Sequence, residues 1–240
     1  MDIQPLGDLA LRVCFGEGIN ETIHQRVRHF TSRLQVANIP GIIEWVPAYN
    51  TVAIYYRPEI ISFKKLVEAV EKIYYMSADL EPLQPMVYKI PVYYGGETGQ
   101  DLSYIAQYHQ MSEDEVISLH ADKEYLIYMV GFVPGFPYLG GLSSRLSVPR
   151  LEHPRSSVPA GSVGIGGNQT GIYPSQVPSG WRIIGITPVK LFDIDNRNPN
   201  LVAAGDYIKF FPIDWSEYQR IKNLVDKKKY EVPTFLKKGD

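Results

Sequence analysis

The sequence predicts an α+β protein in two parts: a small layered domain, then a closed β-barrel or β-sandwich. Three observations carry this reading. Residues 9–75 switch between strand-like and helix-like periods in the order β-α-β-β-α. Two prolines within Glu81–Pro85 then interrupt both helix and sheet. Beyond them, the stretch Gly131–Pro188 holds 11 of the 20 glycines and 8 of the 18 prolines, spaced without period, so it reads as short strands joined by specified turns.

The elements follow in order. Leu9, Leu11, Val13 and Phe15 alternate along one face of a strand. Asn20 is suited to cap a helix with Ile23, Val27, Phe30 and Leu34 inward, which leaves His24 and His29 on its surface. Ile42–Val46 and Thr51–Tyr56 form a hairpin around Pro47–Asn50, and Ser62 caps a second helix with Phe63, Leu66, Val70 and Ile73 inward. This order resembles a split, ferredoxin-like unit. A strand near Met86–Val92 either completes it or begins the next domain. Past the boundary come a strand at Tyr88–Tyr94, a helix at Leu102–Tyr108, and a helix at Glu113–His120 with a Ser112–Glu115 capping box. Strands are expected at Glu124–Phe132, Ser162–Ile165, Gly171–Tyr173, Trp181–Thr187, Val189–Asp193 and Tyr207–Phe211. A last helix carries Trp215, Tyr218, Ile221, Leu224 and Val225 on one face, and the Lys-rich tail after Asp226 is expected to be solvated and mobile. The expected division is 1–85, 86–214, and a C-terminal helix and tail over 215–240.

Composition excludes several classes. A net charge of −2 supplies no field for nucleic acid or an acidic membrane surface. The single cysteine, Cys14, leaves no internal disulfide and no Cys-based zinc site, and it fits a reducing cytoplasm. Cys14 itself falls in a strand and reads as a packing residue. No basic-then-apolar leader opens the chain, and no apolar run nears ~18 residues, so neither secretion nor a membrane span is expected. The five histidines lack metal-type spacing.

Catalytic signatures are incomplete. Ala160-Gly-Ser-Val-Gly164 approaches a nucleophile elbow around Ser162, but Gly-Ile-Gly-Gly-Asn follows where a helix is required. Gly164-x-Gly166 lacks the rest of a dinucleotide fingerprint, and there is no phosphate-loop lysine. What remains is a constellation. Arg150, His153 and Arg155 sit between stiffening prolines, where two guanidiniums are suited to grip a carboxylate or phosphate; the alternative is surface arginines that bridge loops. Asn168, Gln169 and Thr170 lie among glycines, as ligand donors and acceptors or as turn formers. Phe132, Phe136, Tyr138, Tyr173 and Trp181 are candidates for an apolar wall or for plain core.

GFVPGFPYLGGL (131–142), PRLEHPRSSVPAGSVGIGGNQTGIYP (149–174) and GWRIIGITPVKLFD (180–193) closely resemble the family of allophanate hydrolase subunit 1 and the 5-oxoprolinase B-type chain, and the likeness runs from about residue 3 to about Pro212. The resemblance implies a cyclophilin-like barrel after the α+β domain. It implies a subunit of an ATP-dependent 5-oxoprolinase, inactive alone, which works with C-type and A-type 5-oxoprolinase proteins to open 5-oxoproline to glutamate. ATP would act at the level of that complex, and no metal site is visible. The likeness extends to a member that inhibits a sporulation sensor histidine kinase, which implies the kinase dimerisation domain as a further partner. A prolyl isomerase activity, which such a barrel invites, has no support in the residues. Carried over residue by residue, the resemblance places catalytic roles on Arg150, Arg155, Gln169 and Thr170. It places substrate contacts on Phe132, Pro134, Gly135, Phe136, Tyr138, Gly161 and Trp181. Ile186 stands where many members have Arg, and Ser179 where Gly is usual, which puts anion binding in question.

Overall fold

The computed structural model describes residues 2–76 and 84–237; most of the expected boundary, Glu81–Pro85, lies outside them. Two compact units result, Met1–Leu83 and Gln84–Asp240.

The first unit comprises β1 (Asp2–Pro5), β2 (Ala10–Cys14), α1 (Glu21–Ala37), β3 (Ile42–Pro47), β4 (Thr51–Tyr56) and α2 (Phe63–Tyr75). The sheet runs β1-β2-β4-β3, antiparallel throughout. Both helices begin at the expected caps: Asn20 Oδ1 accepts from Ile23 N–H, and Ser62 Oγ from Lys65 N–H. Leu11, Val13, Phe15, Val52 and Ile54 meet Val27, Phe30, Leu34, Leu66, Val70 and Ile73 in one core. Three expectations are corrected. Leu9 is exposed just ahead of β2, and Phe63 is exposed in the first turn of α2. In both cases the apolar period runs one residue past the buried face. His24 is buried rather than on the helix surface, because the inward stripe of α1 is wide enough to take residues 23 and 24 together. β1 carries too few apolar residues to signal itself. It pairs with β2 from Asp2↔Cys14 to Pro5↔Leu11 and takes the sheet edge next to β2. The strand at 86–92 belongs to the second unit.

That unit comprises β5 (Met86–Tyr94), α3 (Leu102–Tyr108), α4 (Glu113–Asp122), β6 (Glu124–Val130), β7 (Pro137–Gly140), β8 (Arg155–Val158), β9 (Ser162–Gly166) and β10 (Gln169–Ile172). It continues with β11 (Val177–Ser179), β12 (Arg182–Ile186), β13 (Tyr207–Pro212), α5 (Trp215–Asp226) and β14 (Thr234–Leu236). Seven strands close in the order β5-β12-β9-β10-β7-β6-β13 and back to β5. The sequence left barrel and sandwich open; closure makes it a barrel. Val163, Ile165, Ile172, Leu139 and Ile184 point inward onto Tyr125, Ile127, Ile208 and Phe210. β8 and β11 form a separate two-stranded ribbon.

Here too some expectations change. Val189–Asp193 is not a strand; its one ladder contact is the Phe192↔Asn200 bridge. The tail is not free either: β14 pairs with Met86–Tyr88, Lys89 N–H donates to Pro233 O, and Lys237 meets Glu124 at 2.9 Å. A run of three lysines at 227–229 masked a short strand behind it. On α5 only Tyr218 and Ile221 are buried, and Trp215 is half exposed. No helix among the described residues is long and apolar enough to cross a membrane.

Candidate functional site

Strand alternation decides which predicted residues share a surface. Along β9, Val163 and Ile165 face the barrel core, so Gly164 and Gly166 face out. Opposite them on β10, Gly171 pairs with Gly164 and Gln169 with Gly166, also facing out. These three glycines make a flat bed, and the Trp181 indole lies on it. A Cβ at Gly166 would stand 2.5 Å from the indole Cδ1, and one at Gly171 would stand 3.1 Å from its Cζ3. The glycines are required by this close approach rather than by backbone angle. Phe136 and Tyr173 meet the indole edge-on, at 5.8 and 6.2 Å between ring centroids. Val158 of β8 and Val177 of β11 pack over them, so the small ribbon roofs a second core on the outside of the barrel.

The aromatic residues therefore divide. Phe136, Tyr173 and Trp181 are buried packing residues, and Tyr138 is half-buried beside Phe136. Exposed Arg150 holds its guanidinium 5.7 Å from the centre of the Trp181 ring. Burial raises the Tyr138 and Tyr173 phenols above their ordinary value; the Arg150 charge partly offsets this in both, and the Ser179 hydrogen bond also does so in Tyr173. Both remain protonated donors at neutral pH. Ser179, one of the two family departures, accepts from Trp181 N–H at 3.0 Å and shares a 2.7 Å hydrogen bond with the Tyr173 hydroxyl. It helps to hold the platform together.

The remaining predicted residues are placed elsewhere. Thr170 points into the barrel, opposite in sense to Gln169. Arg155 does not share a fork with Arg150: its Nη2 bonds Asp101 Oδ1 at 2.8 Å and its Nη1 donates to Trp181 O at 3.3 Å. Gly161 is a backbone crossing, donating to Tyr173 O and accepting from Thr187 N–H, in the left-handed region at φ 86°. Phe132, Pro134 and Gly135 line a separate cavity of about 300 Å³ with Val130, Phe192 and Asn200. Phe132 is linked to the platform by an edge contact to Phe136 at 5.7 Å. His153 and Asn168 are exposed. Ser162 donates to Pro159 O and opens a strand instead of a helix, so the elbow reading fails. Ile186 is buried in β12, paired with Ser162 and Tyr93. The larger cavity, about 480 Å³ between residues 189–201 and 225–232, contains none of the predicted residues.

Two groups escaped sequence reasoning. His120, at the end of α4, is fully buried in the barrel. Its Nε2 lies 2.8 Å from Thr170 Oγ1 and its Nδ1 lies 2.8 Å from the Tyr94 hydroxyl. Thr170 donates its own proton to Gly164 O at 3.0 Å, so it must accept from Nε2–H, and Nδ1 then accepts from Tyr94. Only the neutral ring satisfies this chain. The second is Asp101. Arg182 is the only charge between Ser156 and Val189, and a lone charge in an apolar run calls for a counter-ion. That signal is present in the sequence, but the partner lies far away along the chain.

The platform's polar groups are the Arg150 guanidinium beside Trp181, the Gln169 amide on the glycine face and the Tyr138 phenol beside Phe136: a cation, an amide and a hydroxyl. None of them is a nucleophile poised beside a base.

The family model of the carboxyltransferase domain, subdomain C and D, matches residues 1–202. The B-type chain of 5-oxoprolinase from Bacillus subtilis is 41% identical over 230 residues, covering 92% of this chain and 96% of that one. The protein of the same name from Haemophilus influenzae is 42% identical over 189 residues, covering 79% and 88%. Among solved structures, TTHA0988 superposes with a TM-score of 0.75 at 34% identity over 85% of this chain, which spans 40% of that longer one. The urea carboxylase of Kluyveromyces lactis shares the fold, with a TM-score of 0.80 at 18% identity over 98% of this chain and 24% of its own. With the family model matched over residues 1–202 and likeness to two 5-oxoprolinase B-type chains at 41% and 42% identity, the chain belongs to the family of allophanate hydrolase subunit 1 and the 5-oxoprolinase B-type chain.

Proposed function

We propose that this chain is a non-autonomous subunit of an ATP-dependent 5-oxoprolinase, working in the cytoplasm with C-type and A-type 5-oxoprolinase partners. The end-to-end likeness to proteins named as the B-type chain of 5-oxoprolinase carries the reading. The platform supports it: 5-oxoproline has one carboxylate and one lactam, and Arg150 and Gln169 match those two groups. A recognition surface without its own nucleophile suits a protein that supplies part of a shared site. The same unit forms only a fraction of longer chains in TTHA0988 and the urea carboxylase, as expected of a module that works joined to others. ATP is assigned to the complex rather than to this chain. The Gly164-x-Gly166 backbone lies within a strand beneath Trp181, and cannot wrap a phosphate. The finer fold assignments, ferredoxin-like for the first unit and cyclophilin-like for the barrel, accompany this proposal.

Glutamate release from 5-oxoproline and ATP by the three mixed proteins tests it. Release is expected to require this chain and to fall about 100-fold with Gln169→Ala while the complex still assembles. Equal release when this chain is omitted would overturn the reading.

The proposal extends to control of a sensor histidine kinase through its dimerisation helices. Phe132, 64% exposed beside an apolar cavity, offers such a helix an anchor. The purified chain is expected to bind the kinase dimerisation domain and to lose affinity with Phe132→Ala; no complex at micromolar concentration would end this part of the proposal.

A further inference from the structure

We propose that Asp101 is a positioning residue that locks the segment Trp181–Ile183 and thereby holds the recognition platform in register. Its kinetic consequences rest on the 5-oxoprolinase reading; its structural consequence does not.

Asp101 occupies the N-cap position of α3, yet its side chain caps nothing there. The carboxylate is turned onto the start of β12 instead, and the residue is only 5% exposed. Oδ2 accepts from Ile183 N–H at 2.6 Å, and the Asp101 N–H donates back to Ile183 O at 2.9 Å. The residue thus pairs with β12 as a neighbouring strand would. Oδ1 takes Arg155 Nη2 at 2.8 Å and lies 3.7 Å from Arg182 Nη1. Arg155 in turn donates to Trp181 O, and Arg182 stacks 3.7 Å above the Tyr104 ring of α3. One carboxylate therefore ties down residues 181, 182 and 183 in succession. Trp181 is held from both ends, by this clamp on its backbone and by the glycine bed under its indole. A charged acceptor serves where a neutral one fails, because Asp101 faces two guanidiniums and an amide N–H at once.

Asp101→Asn keeps the shape but turns an amide N–H toward Arg155 or toward Ile183 N–H. In a Trp45→Phe/Trp215→Phe background, fluorescence reports Trp181 alone. Acrylamide quenching of Trp181 is expected to rise about twofold in folded Asp101→Asn, and the reconstituted complex is expected to show KM for 5-oxoproline raised about tenfold with a smaller change in kcat. Should Asp101→Asn not fold, Arg155→Lys keeps the charge but cannot reach both Asp101 and Trp181 O, and quenching is expected to rise there too. A lower melting temperature with native-state quenching unchanged overturns the proposal, since a merely structural contact would behave that way. A wild-type complex without turnover would sink the functional reading while the quenching result still decides the role of Asp101.

Discussion

Replacing Gly166 by valine is expected to lift Trp181 off the barrel and abolish platform function. The new Cβ would stand 2.5, 2.6 and 2.7 Å from three indole ring atoms, far inside contact distance. The indole cannot retreat, because Phe136 and Tyr173 flank it and the β8–β11 ribbon closes over the cluster. Overpacking of this kind costs about 1–3 kcal/mol, and the displaced ring takes its neighbour Arg150 with it. Activity of the reconstituted complex is expected to fall about 100-fold with the barrel still folded. Gly131→Ala is the control: a Cβ there meets nothing within 4 Å, so stability should change by no more than about 0.5 kcal/mol. Denaturant melts and steady-state kinetics on the two variants make the comparison. Unchanged kinetics in Gly166→Val would show that the indole position is irrelevant to function.

Acid is expected to destabilise the barrel from about neutral pH downward, with His120 as the main cause. Burial lowers its pKa from the ordinary 6.5 to about 3. The sign follows from the lowered folded value. Between those two values the unfolded chain binds a proton at this ring and the native chain does not. The stabilisation is therefore complete above about 6.5 and is lost as pH falls toward 3, at up to about 1.4 kcal/mol per pH unit. The hydrogen-bond chain explains why the native state resists. A protonated Nδ1 would confront the Tyr94 hydroxyl that now donates to it, and the fully buried ring is stacked 4.5 Å from Phe210. His120→Ala should remove this pH dependence. It should also cost about 3–5 kcal/mol at pH 7.5, through a cavity and the lost partners of Tyr94 and Thr170. Urea melts of both proteins at several pH values between 7.5 and 5 test this; equal slopes would assign the acid sensitivity to other groups.

The elements with strong local codes were legible. Asn20, Ser62 and the Ser112–Glu115 box begin helices where a side-chain oxygen meets orphan N–H groups, a rule that acts within three residues. Long strands such as 51–56 and 207–212 announce themselves by β-branched and aromatic content. The misses are short or lean on distant partners. β1, β8 and β11 have three or four residues each; β1 exists because β2 offers a free edge, and β8 and β11 exist by pairing with each other. β14 hides behind lysines and is ordered by β5, nearly 150 residues upstream.

The candidate site divides along the same line. The chain's own order of residues determined the family, the glycine-rich character of 161–171 and the aromatic set, because these are matters of composition and spacing. Which face each residue takes was settled only by closure of the barrel. Gln169 and Thr170 are adjacent in sequence, yet a strand sends one to the platform and the other to His120 in the core. Arg150 and Arg155 read as a pair, but Asp101 claims one of them from 54 residues away. A buried charge must find its counter-charge in space, and no local pattern says where in the chain that partner lies.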